Sequence, residues 1–273
     1  MQVVRGSRRR LALVLGACAA VVAACGPTIS PLDPSLRANF LTSEGQDRYG
    51  LTVAGDVVTV AAPASNTGRN SRVAFWRAAD ALAADQQTCA TWVNNQTQMQ
   101  QQGAALRVRT VNGRTRAITV TKNISFGAHW GFNVHVMDSG AAQPFRAIGG
   151  FHLANVFRLD PDTVDVPPYP WRMCARVVGN TVSFIVWPLT HAEPSWGDPD
   201  YGGSVTLPTG WDQPGFPGWY VGHLRPGESV GFADMSSAVI GWTGTATRTA
   251  GTDVVPVEAT QAPRDPTWIP SAP

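Results

Sequence analysis

The stretch from residue 171 to residue 188 constrains the fold of this chain more than any other. Two runs rich in β-branched and aromatic residues flank the dipeptide Gly179-Asn180. Glycine accepts the positive φ that a two-residue hairpin turn requires. The pattern therefore predicts an antiparallel hairpin in which Val178 lies opposite Thr181 and the following pairs step outward along both strands.

Side chains alternate between the two faces of a strand, so this register divides the hairpin into two surfaces. The first surface is apolar and is expected to be buried; it consists of Met173, Ala175, Val177, Val182, Phe184 and Val186. The second surface is mixed, and we expect it to be open to water or a polar ligand; it consists of Arg172, Cys174, Arg176, Ser183, Ile185 and Trp187.

The first 24 residues have the composition of an export signal. Four arginines precede an apolar run over residues 11–24, which is shorter than the about 20 residues needed to span a bilayer. The run ends in Val-Ala-Ala-Cys-Gly at residues 22–26, which resembles the lipobox of bacterial lipoproteins. The resemblance implies cleavage before Cys25, acylation of its thiol and anchoring to the outer face of the cytoplasmic membrane or cell envelope. An ordinary secretory signal is the alternative.

The charge balance argues against a nucleic-acid partner. Residues 1–24 hold four of the 21 basic residues and none of the 19 acidic ones, so the rest of the chain carries 17 basic and 19 acidic residues, a net charge of −2. A chain without a net positive charge lacks the electrostatic footprint of nucleic-acid binding.

The remaining sequence reads as one β domain between two less structured segments. Residues 25–48 are proline-rich and are expected to be a spacer, and residues 243–273 are rich in threonine, alanine and proline and are expected to be disordered. Residues 49–242 contain about ten short strand patterns, including a second hairpin around Asn112-Gly113. Such a series predicts a sandwich or barrel. Only the alanine-rich stretch 77–87 suggests a short helix.

The C-terminal part of this domain resembles the concanavalin A-like, laminin-G-like jelly rolls. The resemblance is carried by the Gly-Trp-Tyr-Val-Gly strand at residues 218–222, a short turn, and the apolar-x-Phe-x-Asp pattern that ends at Asp234. The resemblance implies an all-β, two-sheet antiparallel jelly-roll sandwich with at most one or two short helices.

Beyond the predicted export signal, which contains Cys18, two cysteines remain besides Cys25, one in each of two predicted strands. Cys89 and Cys174 are expected to form a disulfide because an exported protein meets an oxidising compartment. The alternative is a pair of buried free thiols.

The residues expected to hold a ligand lie on the mixed surface of the hairpin and around it. Carbohydrate sites combine aromatic platforms with polar groups that bind hydroxyls. In residues 130–137, alternation places Phe132, Val134 and Val136 inward and leaves two polar side chains outward, and the loop after the hairpin adds further aromatic groups. The predicted glycan groove consists of Asn133, His135, Arg172, Trp187, Trp196 and Tyr201. The alternative is that these aromatic groups simply pack at the surface, with Trp187 beneath Arg172.

Catalytic and metal sites are weakly indicated. Glu193 and Asp198 form the best carboxylate pair for glycoside hydrolysis, although both lie in one loop. Asp160, Asp162 and Asp165 could bind calcium through oxygen ligands, although aspartates beside proline more often form turns. No other cofactor is implied.

The sequence therefore favours a lipid-anchored envelope protein that binds a glycan or envelope polymer without transforming it. Its oligomeric state is not indicated by the sequence, and a monomer is the default. A glycoside hydrolase or lyase on the same fold is one alternative. A structural lipoprotein that binds a protein partner is the other.

Overall fold

The computed structural model describes residues 26–68, 70–95, 100–123, 131–157, 168–241, 245–248 and 254–256. The predicted signal, the predicted lipidation site Cys25 and the aspartates at 160, 162 and 165 lie outside these ranges. All regular structure in the described ranges is β-strand. The strands are β1 (Thr28–Leu32), β2 (Leu36–Thr42), β3 (Arg48–Ala54), β4 (Val57–Ala61), β5 (Arg72–Arg77), β6 (Gln86–Asn95), β7 (Gln101–Val111), β8 (Arg114–Asn123), β9 (Gly131–Asp138), β10 (Phe145–His152), β11 (Trp171–Val178), β12 (Thr181–Pro188), β13 (Gly202–Thr206), β14 (Phe216–Gly222), β15 (Ser229–Ile240), β16 (Thr245–Arg248) and β17 (Val254–Pro256).

The strands form two sheets packed face to face, which confirms the predicted all-β jelly-roll sandwich. The first sheet has the order β1-β3-β4-β15-β6-β11-β12-β13, with β16 added beside β15 and β17 beside β16. The second sheet has the order β10-β9-β8-β7-β14-β5-β2. All pairings are antiparallel except that of β1 with β3. The chain passes between the sheets several times, so strands distant in sequence become neighbours.

The β11–β12 hairpin has the predicted register over its whole length. Val178 pairs with Thr181, and the pairs continue outward to Arg172 with Trp187. Gly179 has a φ of 58°, which a residue with a Cβ rarely adopts. The six apolar side chains of the predicted inner surface are all buried in the main core.

The main core fills the space between the sheets with aromatic side chains from both. Trp92 and Trp171 of the first sheet lie with ring centres 6.3 Å apart, and Trp219 of the second sheet packs against Phe75. Within the described ranges, no helix is long and apolar enough to cross a membrane.

Several predicted boundaries were wrong. The predicted spacer contains β1 and β2, because Leu36 buries its side chain in the main core and Leu41 buries its side chain in a second apolar cluster. The C-terminal stretch expected to be disordered contains β16 and β17. The stretch 77–87 is not helical, since Ala83 pairs its backbone with Gly215.

Candidate functional site

The mixed surface of the β11–β12 hairpin is covered, not open as predicted. Its Trp187 is only 2% exposed and packs with Ile185, while Trp196 and Tyr201 from the following loop pack against both. Alternation placed these side chains together correctly, but the loop at residues 189–201 folds back over them. We call this surface the covered face; it comprises Cys89, Thr91, Arg172, Cys174, Arg176, Ile185 and Trp187.

A disulfide lies at the centre of the covered face. Cys89 of β6 and Cys174 of β11 are directly opposite in the register and are bonded to each other. This confirms the predicted pairing. β6, the strand that carries Trp92, thus lies beside the hairpin, although Trp92 itself faces the main core.

The arginines of the covered face contact groups of the protein. The guanidinium carbon of Arg176 lies 4.0 Å from the ring centre of Trp196, a cation–π contact. Arg172 donates to Thr91 Oγ1 at 3.1 Å, and its Nη1 lies 4.0 Å from Asp234 Oδ2. The sequence-based alternative placed Trp187 beneath Arg172, whereas the structure stacks Arg176 on Trp196.

The loop that covers this face is held by its own turns. Tyr201 Oη lies 3.1 Å from His191 Nδ1, and Asp198 Oδ1 accepts a hydrogen bond from the backbone N–H of Asp200. Glu193 is exposed in the same loop. Asp198 therefore has a turn-forming contact, and the catalytic pairing of Glu193 with Asp198 stays a prediction.

The other predicted ligand residues, Asn133 and His135, lie on the opposite sheet. Their side chains project from β9 on the side facing away from the main core, as alternation predicted. Asn133 pairs with Thr121 of β8, and His135 pairs with Thr119. The structure thus separates the six predicted groove residues into two surfaces on different sheets.

The second sheet curves strongly toward the face that carries these residues. The guanidinium carbon of Arg72 in β5 lies 4.7 Å from the ring centre of Phe145 in β10, although four strands separate β5 from β10. Strands spaced about 4.8 Å apart would place β5 and β10 about 24 Å apart in a flat sheet. We call this surface the concave face; it comprises Arg72, Ala74, Gln101, Ala105, Ala117, Thr119, Thr121, Asn133, His135, Met137, Phe145 and Tyr220.

The curvature explains why the apolar part of the concave face, on β5, β7 and β14, is buried. Ala74, Ala105 and Tyr220 are inaccessible, and they form part of the second apolar cluster. Phe145 at the rim remains 40% exposed. The concave face therefore combines an apolar part, an exposed aromatic ring at its edge, and a polar centre on β8 and β9.

Four polar atoms at this centre have no hydrogen-bond partner among the residues that the structure describes. They are Thr119 Oγ1, Thr121 Oγ1, Asn133 Oδ1 and His135 Nδ1. All four side chains are at least nine-tenths buried. A buried polar atom without a partner costs about 1–3 kcal/mol, and such atoms in native structures commonly mark bound water, an ion or a functional role.

The polar centre is uncharged at neutral pH. Burial, together with the nearby positive charge of Arg72, lowers the pKa of His135 to about 4. Tyr220 donates a hydrogen bond to Gln101 Oε1 at 2.9 Å, and burial raises its pKa to about 12. The hydroxyl, amide and neutral imidazole groups are therefore suited to hydroxyl-bearing ligands more than to charged ones.

Sequence reasoning missed Thr119 and Thr121. The signal was present, because the Asn112-Gly113 turn predicts the β7–β8 hairpin, and alternation along β8 places both threonines on one face. What the sequence did not indicate was which strand lies next to β8 on its other side. The predicted calcium ligands lie outside the described residues, and within the described ranges no three His, Cys, Asp or Glu side chains cluster as metal ligands.

No family model and no curated protein matches this chain. Among solved structures, it is similar to the exoplasmic/lumenal domain of VIP36 in its Ca2+/Man3GlcNAc-bound form, with 10% identity, coverage of 77% of this chain and 88% of that one, and a TM-score of 0.44. It is also similar to the carbohydrate-binding module CBM66 from Bacillus subtilis, with 7% identity, coverage of 73% and 94%, and a TM-score of 0.43. A family 7 alginate lyase gives 12% identity, coverage of 69% and 83%, and a TM-score of 0.39. At these values the likeness carries no argument about ligands, metals or chemistry.

Proposed function

We propose that this chain is an exported, lipid-anchored protein that binds a neutral glycan on its concave face without transforming it. The observation that carries the proposal is the group of four buried, unpartnered polar atoms on β8 and β9. These atoms are buried, so a ligand reaches them only when the rim formed by Arg72 and Phe145 opens. A sugar hydroxyl both donates and accepts hydrogen bonds, so it can then pair with the threonine hydroxyls, the Asn133 carbonyl and the neutral His135 ring.

The rest of the concave face supports a carbohydrate ligand. Sugar rings have apolar faces that pack on aromatic side chains, and Phe145 offers an exposed ring at the edge of the polar centre. The described positions of β5, β7, β8, β9 and β14 on this face carry no carboxylate. This favours binding over hydrolysis by a pair of carboxylates.

The proposed location follows from the sequence of the first 26 residues. The apolar run and the Val-Ala-Ala-Cys-Gly segment support export and acylation at Cys25. Radiolabelled palmitate incorporated by the wild-type protein and not by Cys25→Ala would support the anchor. Labelling of both proteins, or of neither, would contradict it.

A glycan array probed with the purified protein tests the binding function. We expect retention of neutral oligosaccharides, and we expect the double variant Thr119→Val/Thr121→Val to bind the best of them about tenfold more weakly, because valine keeps the shape of threonine and removes its hydroxyl. Thr52→Val is the matched control, since Thr52 is exposed on β3 of the other sheet.

Three results would contradict this proposal. Absence of any glycan binding would favour a protein partner instead. Equal affinity of the double variant and of Thr52→Val would remove the ligand from the concave face. Shortened products after incubation with the bound glycan, seen by chromatography, would favour a hydrolase or lyase.

A further inference from the structure

A second candidate site lies at the far end of the β7–β8 hairpin. A cleft of about 490 Å³ opens there between the hairpin and the loop before β14. This volume falls within the about 300–1,000 Å³ typical of small-ligand sites. We call it the arginine cleft; its lining includes Arg107, Arg109, Val111, Arg114, Arg116 and Trp211.

Arg107 forms the fixed floor of the arginine cleft. Its guanidinium donates to the backbone carbonyls of Ala84, Gly179 and Trp211 at 2.6–2.7 Å, and it lies 3.6 Å from Asp85. Each of its three nitrogens thus donates to a neighbouring loop. Arg107 shapes the cleft and is not available to a ligand.

Arg114 and Arg116 share a single carboxylate. Arg114 donates to both oxygens of Asp138, and Arg116 Nε lies 3.4 Å from one of them. The guanidinium of Arg116 also stacks 4.0 Å from the ring centre of Trp211. The bidentate contact of Arg114 shows that guanidinium groups in this cleft can face a planar carboxylate.

Arg109 has no such partner. It is exposed, lies opposite Arg116 in the β7–β8 register, and makes no hydrogen bond or ion pair with any described residue. Four guanidinium groups face the three carboxylates of Asp85, Asp138 and Asp212, which leaves a net charge of +1 in the cleft. The excess positive charge is located where solvent and ligands have access.

We propose that the arginine cleft binds the carboxylate of an acidic sugar residue. Arg109 and the outer donors of Arg114 supply the charged hydrogen bonds, and the exposed side chain of Val111, together with Trp211, supplies an apolar wall for the sugar ring. The site differs from the concave face in position, charge and ligand. An acidic polymer could therefore bind here independently of a neutral glycan.

Isothermal titration calorimetry with tetragalacturonate tests this site in the purified protein. We expect binding that weakens as salt is raised, whereas the carboxyl-reduced neutral form of the same oligosaccharide should bind much more weakly and without this salt dependence. Arg109→Gln should weaken binding about tenfold, because it removes charged hydrogen bonds. Arg225→Gln, the same change at an exposed arginine beyond the opposite end of β14, should leave the affinity unchanged.

Specific outcomes would overturn the inference. These are no binding of tetragalacturonate, equal affinity of Arg109→Gln and Arg225→Gln, or equal binding of the neutral form. Inorganic phosphate that binds as tightly as tetragalacturonate would show that the sugar part is not recognised. Thr119→Val/Thr121→Val should leave tetragalacturonate binding intact, so failure here and failure of the neutral-glycan site are separate results.

Discussion

The covered face and the concave face are two outer surfaces of one sandwich, and both were expected from the sequence to be open to a ligand. On the covered face, a disulfide and two aromatic loop residues cover the hairpin, Arg172 contacts Thr91 and Asp234, and Arg176 stacks on Trp196. On the concave face, four buried polar atoms are left without partners. The difference teaches that a polar side chain on an outer face indicates a ligand only where the protein itself has not supplied the partner.

The largest expected effect concerns the disulfide of the covered face. Cys89→Ala/Cys174→Ala opens a loop of 85 residues and should lower the free energy of unfolding by about 4 kcal/mol. Urea unfolding measures the loss, with the reduced wild-type protein as the control. Neutral-glycan binding of the folded double variant should persist, because the disulfide lies on the other sheet. A parallel loss of glycan binding would show that the two faces are coupled.

The next effect concerns pH and the concave face. The pKa of His135 is about 4 in the folded protein and 6.5 in the unfolded chain. The stability that depends on a neutral imidazole at this position is therefore fully present above pH 6.5 and is lost as the pH falls toward 4. The loss should reach about 3 kcal/mol. His135→Gln should remove this part of the pH dependence.

His191→Gln is the matched control, because His191 is exposed in the loop that covers the other face. It should retain the fall in stability between pH 6.5 and pH 4. The same pH profile for the wild-type protein and both variants would contradict the burial of a neutral imidazole at position 135.

A smaller loss of stability should follow from replacing a threonine whose hydroxyl both donates and accepts a hydrogen bond. Thr91 on the covered face donates to Asp234 Oδ2 at 3.0 Å and accepts from Arg172. Thr91→Val removes both contacts and should lower the free energy of unfolding by about 2 kcal/mol. Urea unfolding at neutral pH checks the loss, and an unchanged stability would show that these bonds contribute nothing.

The smallest expected effect is a gain in the free energy of unfolding, whereas the preceding variants lose stability. Thr121→Val on the concave face removes a buried hydroxyl that has no partner, so it should raise the free energy of unfolding by about 1 kcal/mol while it weakens glycan binding. Comparison with Thr91→Val under the same conditions sharpens the contrast between the faces. A loss of stability in both variants would mean that Thr121 is already satisfied within the folded protein.

Much of the local structure could be predicted from particular residues. The Gly179-Asn180 turn predicted the complete register of the β11–β12 hairpin. Export to an oxidising compartment, which the signal implied, predicted the disulfide between Cys89 and Cys174. The N-terminal strands were missed because prolines around them suggested a spacer, whereas Leu36 and Leu41 bury their side chains in two clusters. The prediction of a short helix over residues 77–87 was wrong because the backbone of Ala83 pairs with that of the distant Gly215.

The candidate site was predicted only in part. Asn133 and His135 were assigned to an outer face correctly. Arg172 and Trp187 belong to the covered face on the other sheet, and Trp196 and Tyr201 belong to the loop that packs over it. No local sequence pattern indicates that the loop at residues 189–201 folds back or that Arg72 contacts Phe145. Both depend on packing between segments far apart in the chain.

The sequence by itself determined which side chains share a face, because alternation along a strand is a property of the backbone of each residue and its immediate neighbours. Only the tertiary structure decided which outer face is closed and which retains unpartnered groups. Closure depends on how far the second sheet curves and on where a loop returns, and these are set by the summed packing of all strands rather than by any one of them.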